Sequence, residues 1–411
     1  MTKKKKNIVL LNIFSRWCWS SVMIILFLGG VYLSLQLWLK FYSYPILNTI
    51  SNDLPITDVA FPGVTICSPK VVNMERVKRY IKTLYVDFQF FPSKLCNFFH
   101  FVFRRNIPSK YKIEDVINGF EYLNAFTDQS WSPPNNTNIT YEATDAVLHY
   151  NNVSIYEAAQ HVCATCEDFV KRCFWGGYEF PCRQEHEYLS FIPTTSYLGP
   201  CCSFNYNPRN LSYVPFSSNI YGINGGLIFI GVEGSERNLS TGLIVLVHHP
   251  MDFVTESAAS VTITSNSESF VEISPTVQSS SKDVLELSER KRDCLISDDL
   301  ALSSYRQASC MLACQSELIM KKCQCQPYHL PNGKAQHECK LNDSLCYSNE
   351  YGEYTNIPFY FIQNDFILKN FQDTFKSAKC DQCLPNCYDV TYSTLAYKTD
   401  LLLHNYSISS L

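Results

Sequence analysis

The sequence lacks the motifs of the common enzyme classes. It contains no Gly-x-Ser-x-Gly nucleophile elbow, no His-Glu-x-x-His zinc-binding helix and no phosphate-binding P-loop. These absences argue against a serine hydrolase, a zinc metalloprotease and a nucleotide hydrolase. Carboxylates are plentiful, but their spacing does not distinguish them from those of a solvated surface. We therefore predict that the protein is not an enzyme and binds no cofactor.

The sequence also lacks a basic surplus. It has 34 Lys and Arg against 38 Asp and Glu, a formal net charge of -4. Lys3–Lys6 and Arg16 precede Trp17, whereas all the acidic residues follow it, so the remainder of the chain is more acidic than the total suggests. A nucleic-acid-binding domain needs a basic stripe. Nucleic acid is therefore not an expected partner.

One stretch near the N-terminus has no charged residue. Asp, Glu, Lys and Arg are absent from Trp17 to Leu39, and a helix of this length spans a hydrocarbon core of about 30 Å. Basic residues precede the stretch and one lysine follows closely, so the positive-inside rule places residues 1–16 in the cytoplasm. The alternative is a cleaved signal peptide, but the apolar run is long and no small-x-small cleavage site follows it. No later run reaches membrane-spanning length.

Glycosylation sequons and cysteines both indicate that the rest of the chain lies outside the cell. The sequence has 19 cysteines, and a cysteine-rich domain with sequons is typical of an oxidising compartment. The predicted N-glycosylation sites are Asn135, Asn138, Asn152, Asn210, Asn238, Asn342 and Asn405. Disulfides are therefore the expected state of the extracellular cysteines.

Ten cysteines late in the chain have the spacing of a disulfide framework. Cys310 and Cys314 are four residues apart, so on a helix they share one face, as do two residues three apart, such as Cys380 and Cys383. If two such helices run antiparallel, the bridges between them must be nested. Geometry favours this pairing without proving it. The expected bridges are Cys294–Cys387, Cys310–Cys383, Cys314–Cys380, Cys323–Cys346 and Cys325–Cys339.

A metal site is the alternative interpretation of this cysteine cluster. Cys323 with Cys325, and Cys380 with Cys383, have the spacing of metal ligands, and His329 and His337 lie nearby in the sequence. Outside the cell we expect disulfides and no metal. A second histidine pair, His248 and His249, is expected to be structural because adjacent residues on a strand point to opposite faces.

The order of sequence patterns outside the membrane predicts an α+β domain. Val64-Thr65-Ile66 has the β-branched character of a buried strand, and alternation with turn residues predicts antiparallel sheet over Leu189–Ile273. The serine-rich segment Ser265–Ser281 is predicted to be a connector, with a mobile surface loop as the alternative. A helical pattern covers Val284–Lys322, and Val390–Leu402 is again strand-like.

Several motifs in order resemble the degenerin/epithelial sodium channel family, in particular its pickpocket branch. Phe61-Pro62-Gly63-Val64-Thr65-Ile66-Cys67 is similar to the family's Phe-Pro-Ala-Val-Thr-Ile-Cys. Gly199-Pro200-Cys201-Cys202-Ser203-Phe204-Asn205 is similar to its Gly-x-Cys-x-Thr-Phe-Asn strand, with the doubled cysteine typical of pickpockets. The late cysteine block from Arg292-Asp293-Cys294 to Cys387 matches as well. The resemblance covers nearly the whole chain.

The resemblance implies an α+β membrane protein. An N-terminal transmembrane helix is followed by a large disulfide-rich ectodomain with an antiparallel β palm and β-ball and helical finger and thumb lobes. The implied boundaries are a cytoplasmic tail at 1–16, transmembrane helix 1 at 17–39, the wrist and first palm strand at 40–72, a finger-like helical region at 73–185, the palm and β-ball sheets at 186–283, the disulfide-laddered thumb at 284–389 and a returning palm strand at 390–411.

The resemblance also implies disulfides outside the thumb. It predicts a bridge between Cys173 and Cys182, and one from Cys201 to an earlier cysteine, which we expect to be Cys96. Cys18, in the membrane segment, is expected to be free. Four further cysteines have no predicted partner: Cys67, Cys163, Cys166 and Cys202.

The function implied by the resemblance is that of a subunit of a trimeric, ectodomain-gated, amiloride-sensitive-type sodium channel in the plasma membrane. The implied partners are sodium ions, membrane lipid and other channel subunits, with an extracellular ligand that the sequence leaves unidentified. The family's second transmembrane helix would begin after about Ser410, so we expect an incomplete gene model or a natural truncation. The alternative is a non-conducting single-span glycoprotein that binds a ligand or inhibits full-length subunits.

Overall fold

The computed structural model describes residues 2–43, 46–52, 54–69, 71–86, 111–127, 141–183, 189–208, 213–217, 222, 225–232, 242–296, 305–330, 337–344, 346, 347, 380 and 382–400. The α-helices in these ranges are α1 Thr2–Ser43, α2 Met74–Val86, α3 Ile113–Gly119, α4 Glu142–Tyr150, α5 Ile155–Val162, α6 Cys166–Phe169, α7 Lys282–Leu285, α8 Glu289–Arg292 and α9 Gln307–Cys323. Three 3-10 helices are Ile56–Asp58, Phe120–Phe126 and Leu341–Asp343. The strands are β1 Gly63–Cys67, β2 Val170–Trp175, β3 Tyr178–Phe180, β4 Ile192–Ser196, β5 Gly199–Phe204, β6 Leu227–Gly231, β7 Leu243–His248, β8 Ala259–Ile263, β9 Ser267–Ser279 and β10 Tyr388–Asp400.

Helix α1 contains the predicted membrane segment and extends beyond it at both ends. The stretch Arg16–Tyr42 is long and apolar enough to cross a membrane, and none of its most apolar window is buried by protein. The sequence offers no helix breaker until Pro45, which explains why the helix continues past Leu39. The protein therefore carries an apolar N-terminal helix suited to a lipid environment.

The chain divides into two compact units. One comprises Met1–Asp53 and Ser280–Leu295, and the other comprises Leu54–Ser279 and Ile296–Leu411. The predicted continuous helix over 284–322 is wrong, because α7 and α8 in the first unit are separate single turns and α9 begins only at Gln307. Asp293 has a left-handed φ of 54° and ends α8. This conformation breaks the hydrogen-bond ladder that a longer helix would need.

A buried arginine stabilises the end of α8. Arg292 is 7% exposed, and its guanidinium donates to the carbonyl oxygens of Leu285, Leu287 and Cys294 at 2.9, 3.2 and 2.9 Å. These bonds satisfy backbone acceptors that two short helices leave unpaired. Arg292 therefore closes the turn between α7 and Cys294.

In the second unit a five-stranded antiparallel sheet has the order β4-β5-β1-β7-β8. Strand β1 lies in the middle, with Val64 opposite Phe204 of β5 on one side and Val247 of β7 on the other. All five residues of β1 are buried. We call this the central sheet. It confirms the predicted buried strand at Val64–Ile66 and the predicted antiparallel sheet.

Two smaller sheets complete the β structure of the described residues. Strands β3, β2 and β6 form one, and β9 pairs with β10 along thirteen residues of each to form the other. The predicted connector at 265–281 is therefore wrong, because most of it is β9. The serines and the single proline made this segment resemble a loop, and its partner strand lies more than a hundred residues later.

The helices form a separate hydrophobic core with the cysteine-rich segment. Val77 of α2, Val116 of α3 and Val147 of α4 are at most 1% exposed, as is Ile319 of α9. All belong to one contiguous cluster of buried side chains. Helix α9 is thus packed against helices that precede it by more than 150 residues in the sequence. This core fixes the position of the cysteine ladder described next.

Candidate functional site

Helix α9 carries two rungs of a disulfide ladder. Cys310 is bonded to Cys383 and Cys314 to Cys380, with Cα–Cα distances of 5.7 and 5.9 Å. The two α9 cysteines are one helical turn apart and share a face. The structure also contains the Cys323–Cys346 and Cys325–Cys339 bridges, at 5.9 and 4.7 Å. These are the pairs that the nested arrangement requires.

The segment opposite α9 is not the helix that the spacing predicts. Described residues from Cys380 to Cys387 form a turn, in which the Cys383 amide donates to the Cys380 carbonyl at 3.0 Å. A turn, like a helix, brings residues three apart close together. The predicted pairing of Cys380 and Cys383 with the α9 cysteines is therefore correct, although the predicted helix at these residues is not. Cys294 and Cys387 are each disulfide-bonded. Their bridge to each other stays a prediction.

The disulfides of the ladder argue against the metal site considered for Cys323, Cys325, Cys380 and Cys383. Cys323, Cys325, Cys380 and Cys383 all carry disulfides, so their sulfurs are not thiolate ligands. His329 is 1% exposed, and burial lowers its pKa to about 3. Within the described ranges, no group of three or more His, Cys, Asp or Glu is placed to hold a metal ion.

The residues just before and after α9 bind the same turn. The Tyr305 hydroxyl donates to the Leu384 carbonyl at 2.6 Å. The backbone amide of Gln307 donates to Asn386 Oδ1 at 3.2 Å, and the Gln307 side chain donates to the Cys383 carbonyl at 3.0 Å. These bonds supplement the two nearest disulfides. The base of α9 and the start of β10 therefore form one cross-linked block.

The doubled cysteine on β5 clamps the central sheet on both faces. Cys201 is bonded to Cys67 on the neighbouring strand, and Cys202 is bonded to Cys166 at the start of α6. Adjacent residues on a strand point to opposite faces, so each cysteine reaches a different partner. The expected bridge from Cys201 to Cys96 is wrong. Cys96 itself lies outside the described residues.

Strand register explains the Cys67–Cys201 bridge. The two residues are directly opposed in the antiparallel pair of β1 and β5, with a Cα–Cα distance of 4.5 Å. Aligning the two family motifs as neighbouring strands would have paired these cysteines from the sequence. The predicted Cys173–Cys182 bridge is present and links β2 to the residues after β3. Cys163 is free and buried, and burial raises the pKa of its thiol to about 12.

The two family motifs also form a buried chain of polar side chains across the central sheet. The Thr65 hydroxyl lies 2.7 Å from His248 Nε2 and 2.6 Å from the Ser203 hydroxyl, which in turn lies 2.7 Å from Thr194 Oγ1. His248 Nδ1 donates to the His249 carbonyl at 2.9 Å, so Nε2 accepts the Thr65 proton. Burial lowers the pKa of His248 to about 4. The imidazole is thus neutral and ties four strands together.

Gly63 is the position at which this chain departs from the family's alanine. A Cβ at residue 63 would lie 2.5 Å from Cε1 of His248, which is closer than two carbon atoms can approach without displacement. The imidazole packs directly on the Gly63 backbone. Glycine therefore allows His248 to reach Thr65.

Asn205 joins the start of the first motif to the end of the second. Its side-chain amide donates to the carbonyls of Phe61 and Pro62 at 2.5 and 3.3 Å. Its Oδ1 accepts from the Tyr213 hydroxyl at 2.7 Å and from the Phe216 amide at 2.9 Å. The backbone of Asn205 has a left-handed φ of 53°, which asparagine tolerates better than most residues. The motif asparagine is therefore a structural clamp.

Two predicted glycosylation sites can be located. Asn152 and Asn342 are both exposed, the first in the turn between α4 and α5 and the second in the 3-10 helix Leu341–Asp343. Their side chains are therefore accessible to a glycan. The other predicted sites, Asn135, Asn138, Asn210, Asn238 and Asn405, lie outside the described residues.

Comparisons with known proteins agree with these motifs. The family profile described as "Amiloride-sensitive sodium channel" matches residues 5–407. The chain is 22% identical over 345 residues to "Sodium channel protein Nach" of Drosophila ananassae, covering 82% of this chain and 61% of that protein. It is 22% identical over 410 residues to "Pickpocket protein 28" of Drosophila melanogaster, covering 88% of this chain and 57% of that protein. A third relative, "Pickpocket protein 19" of Drosophila melanogaster, is 28% identical over 134 residues, 31% of this chain and 25% of that protein.

The chain thus spans about three-fifths of the length of the first two relatives. The family match, by contrast, extends over nearly all of this chain and includes the apolar helix, the central sheet and the cysteine ladder. The family is one of ion channels and not of enzymes. The chain belongs to the amiloride-sensitive sodium channel family.

Proposed function

We propose that this protein is a subunit of a trimeric plasma-membrane channel that conducts Na⁺, is blocked by amiloride and is gated by its extracellular domain. The N-terminus would be cytoplasmic, as the basic residues before α1 favour. The positions of Asn152 and Asn342 on the protein surface support an extracellular location for the rest. Family membership supports permeation by sodium.

A contact at the end of the membrane helix carries the proposal. The Lys291 ammonium lies 5.6 Å from the centre of the Tyr42 ring, within the range of a cation–π interaction. Tyr42 is one residue from the end of α1, and Lys291 is in α8. In the proposed mechanism this contact connects α8 to the extracellular end of α1.

The buried guanidinium of Arg292, next to this contact, holds α8 to the residues on both sides of it. Arg292 donates to three carbonyls across the α7–α8 turn, and charge-assisted hydrogen bonds of this kind are stronger than neutral ones. Cys294 follows two residues later and is disulfide-bonded. In the proposed mechanism the cysteine ladder moves as a lever, and α8 passes that motion to α1.

Recording of ionic current tests this proposal. We expect cells that express the protein from its full transcript, alone or with a pickpocket-type relative, to show an inward current. The current should be blocked by amiloride and should disappear when a large organic cation replaces external Na⁺. Surface-labelled protein that yields no such current in either setting would overturn the proposal. A fall in the relative's own current would instead support a non-conducting, inhibitory subunit.

A further inference from the structure

A partly buried ion-pair cluster joins the base of α9 to two β elements that are far apart in sequence. Arg306, immediately before α9, pairs through Nε with Oδ1 of Asp252 at 2.5 Å and through one terminal nitrogen with Asp252 Oδ2 at 2.8 Å. The same terminal nitrogen lies 2.8 Å from Oδ1 of Asp389. Asp252 follows β7, and Asp389 is the second residue of β10. One guanidinium thus connects three elements.

The cluster is largely removed from water. The side chains of Arg306, Asp252 and Asp389 are 13%, 18% and 22% exposed. Burial disfavours the charged guanidinium, but the hydrogen bonds and charges of the two aspartates outweigh it, so the pKa of Arg306 is raised. Two carboxylates share one cation here. Removal of the cation would leave two like charges close together in a poorly solvated place.

Asp252 is held firmly to the central sheet. Its amide donates to the His249 carbonyl at 3.0 Å, and the same carbonyl accepts from His248 Nδ1 at 2.9 Å. The Met251 amide donates to His249 Nδ1 at 3.2 Å. His248 is in turn bound to Thr65. The turn 248–252 therefore connects the buried polar chain of the sheet to the ion-pair cluster.

Geometry explains why arginine occupies position 306. Its planar fork binds both oxygens of Asp252 and still reaches Asp389, whereas a lysine ammonium is a single point of charge on a flexible stem. The disulfides and the Tyr305 and Gln307 hydrogen bonds fix α9 to the turn before β10. Only Arg306 among these residues also binds the turn after β7.

We propose that Arg306 is the pivot of the α9 lever. It is a positioning residue that couples the orientation of α9 and β10 to the central sheet through Asp252. Its effect on gating rests on the proposed channel function, but the mechanical coupling does not. When the cluster is intact, the 248–252 turn and the first residues of β10 resist opening together. When the ion pair between Arg306 and Asp252 is lost, the 248–252 turn and the first residues of β10 both open more often.

Hydrogen exchange on the solubilised full chain tests the coupling. Asp252→Asn keeps the shape and one acceptor oxygen, so we expect the variant to fold. We expect amide exchange to accelerate about tenfold or more in two segments, 248–252 and 388–392. The second segment is in β10, far in sequence from the substituted residue, so its faster exchange would report the coupling. Arg306→Lys is a second variant with the same expected pattern, and it keeps the charge.

The matched control is Asp145→Asn. Asp145 of α4 also accepts two backbone hydrogen bonds, from the amides of Leu341 and Asn342 at 3.1 and 3.3 Å. Its replacement should accelerate exchange near 341 and 342 and leave 388–392 unchanged. Faster exchange in 248–252 alone, for both Asp252→Asn and Arg306→Lys, would overturn the pivot. If exchange accelerates in both 248–252 and 388–392 but the protein gives no amiloride-sensitive current, the result would support the pivot and count against the proposed function.

Discussion

Acidification from pH 7.5 to 5 will lower the stability of this protein by several kcal/mol. Three histidines have pKa values far below the usual 6.5. Burial lowers the pKa of His248 and of the partly buried His249 to about 4, and that of His329 to about 3. For His249 the nearby Arg306 guanidinium adds to this effect. All three imidazoles are neutral in the folded protein at neutral pH.

The direction of the effect follows from proton counting. Between about pH 4 and 6.5 the unfolded chain binds protons at these histidines and the folded chain does not, so the free energy of unfolding falls as the pH falls. At pH 5 the difference is about 2 kcal/mol for each histidine. Asp145 and Glu338 act in the opposite direction, because burial raises the pKa of both carboxyls. Protonation of these two carboxyls therefore offsets part of the loss that the histidines cause as the pH falls.

Urea unfolding of the solubilised protein, followed by tryptophan fluorescence, measures this dependence. We expect the midpoint to decrease steadily from pH 7.5 to 5. His329→Leu should reduce the slope by about a third. Because it also removes the contact between His329 Nε2 and the Tyr347 hydroxyl, at 3.3 Å, it should lower the midpoint at every pH. His149→Gln, which replaces an exposed histidine of α4, should leave the slope unchanged. A midpoint independent of pH would contradict the assignment of three neutral imidazoles.

Replacement of Phe204 by alanine will be among the most destabilising single changes in the protein. The side chain is fully buried and lies at the centre of an aromatic cluster next to the central sheet. Five aromatic rings have their centres 5.3 to 6.4 Å from it: Phe61, Trp175, Phe180, Phe191 and Phe216. Truncation of such a residue costs about 3–5 kcal/mol, because it removes buried surface and leaves a cavity.

The same unfolding assay tests the Phe204 prediction with a matched control. Phe204→Leu should cost clearly less than Phe204→Ala, since most of the volume is kept. Tyr178→Ala, which truncates an aromatic residue that is 82% exposed on β3 of the three-stranded sheet, should change stability by less than about 0.5 kcal/mol. If Phe204→Ala were as mild as Tyr178→Ala, the aromatic cluster would not be a core.

Features with local sequence signals were predictable. A charge-free run identified α1, and β-branched residues identified β1. Cysteine spacing gave the α9 pairings even though the described residues from Cys380 to Cys387 form a turn and not a helix, because turns and helices both bring residues three apart into proximity. The Cys201 partner was missed for the opposite reason, since the pairing depends on the register between β1 and β5. That register is a tertiary property.

Strand β9 and Arg306 show what local patterns do not reveal. Serine-rich β9 becomes a strand only because β10, far along the chain, supplies its hydrogen-bonding partner. Arg306 has no neighbouring acidic residue in the sequence, and its partners come from two distant elements. The break between α7 and α8 depends on a single left-handed residue, Asp293. None of these three features produces a periodic pattern in the sequence from which it could be predicted.

In the proposed channel, the cysteine ladder on α9 acts as a rigid gating lever. The most direct test compares amiloride-sensitive current, normalised to surface protein, in two variants that each lack one disulfide. We expect Cys314→Ser with Cys380→Ser to change the normalised current about tenfold, because the bridge joins α9 to the turn before β10 and coupling free energies are typically about 1–3 kcal/mol. Cys173→Ser with Cys182→Ser removes a bridge outside the ladder and should have a much smaller effect. Equal normalised currents in the ladder variant and the wild type would contradict the lever.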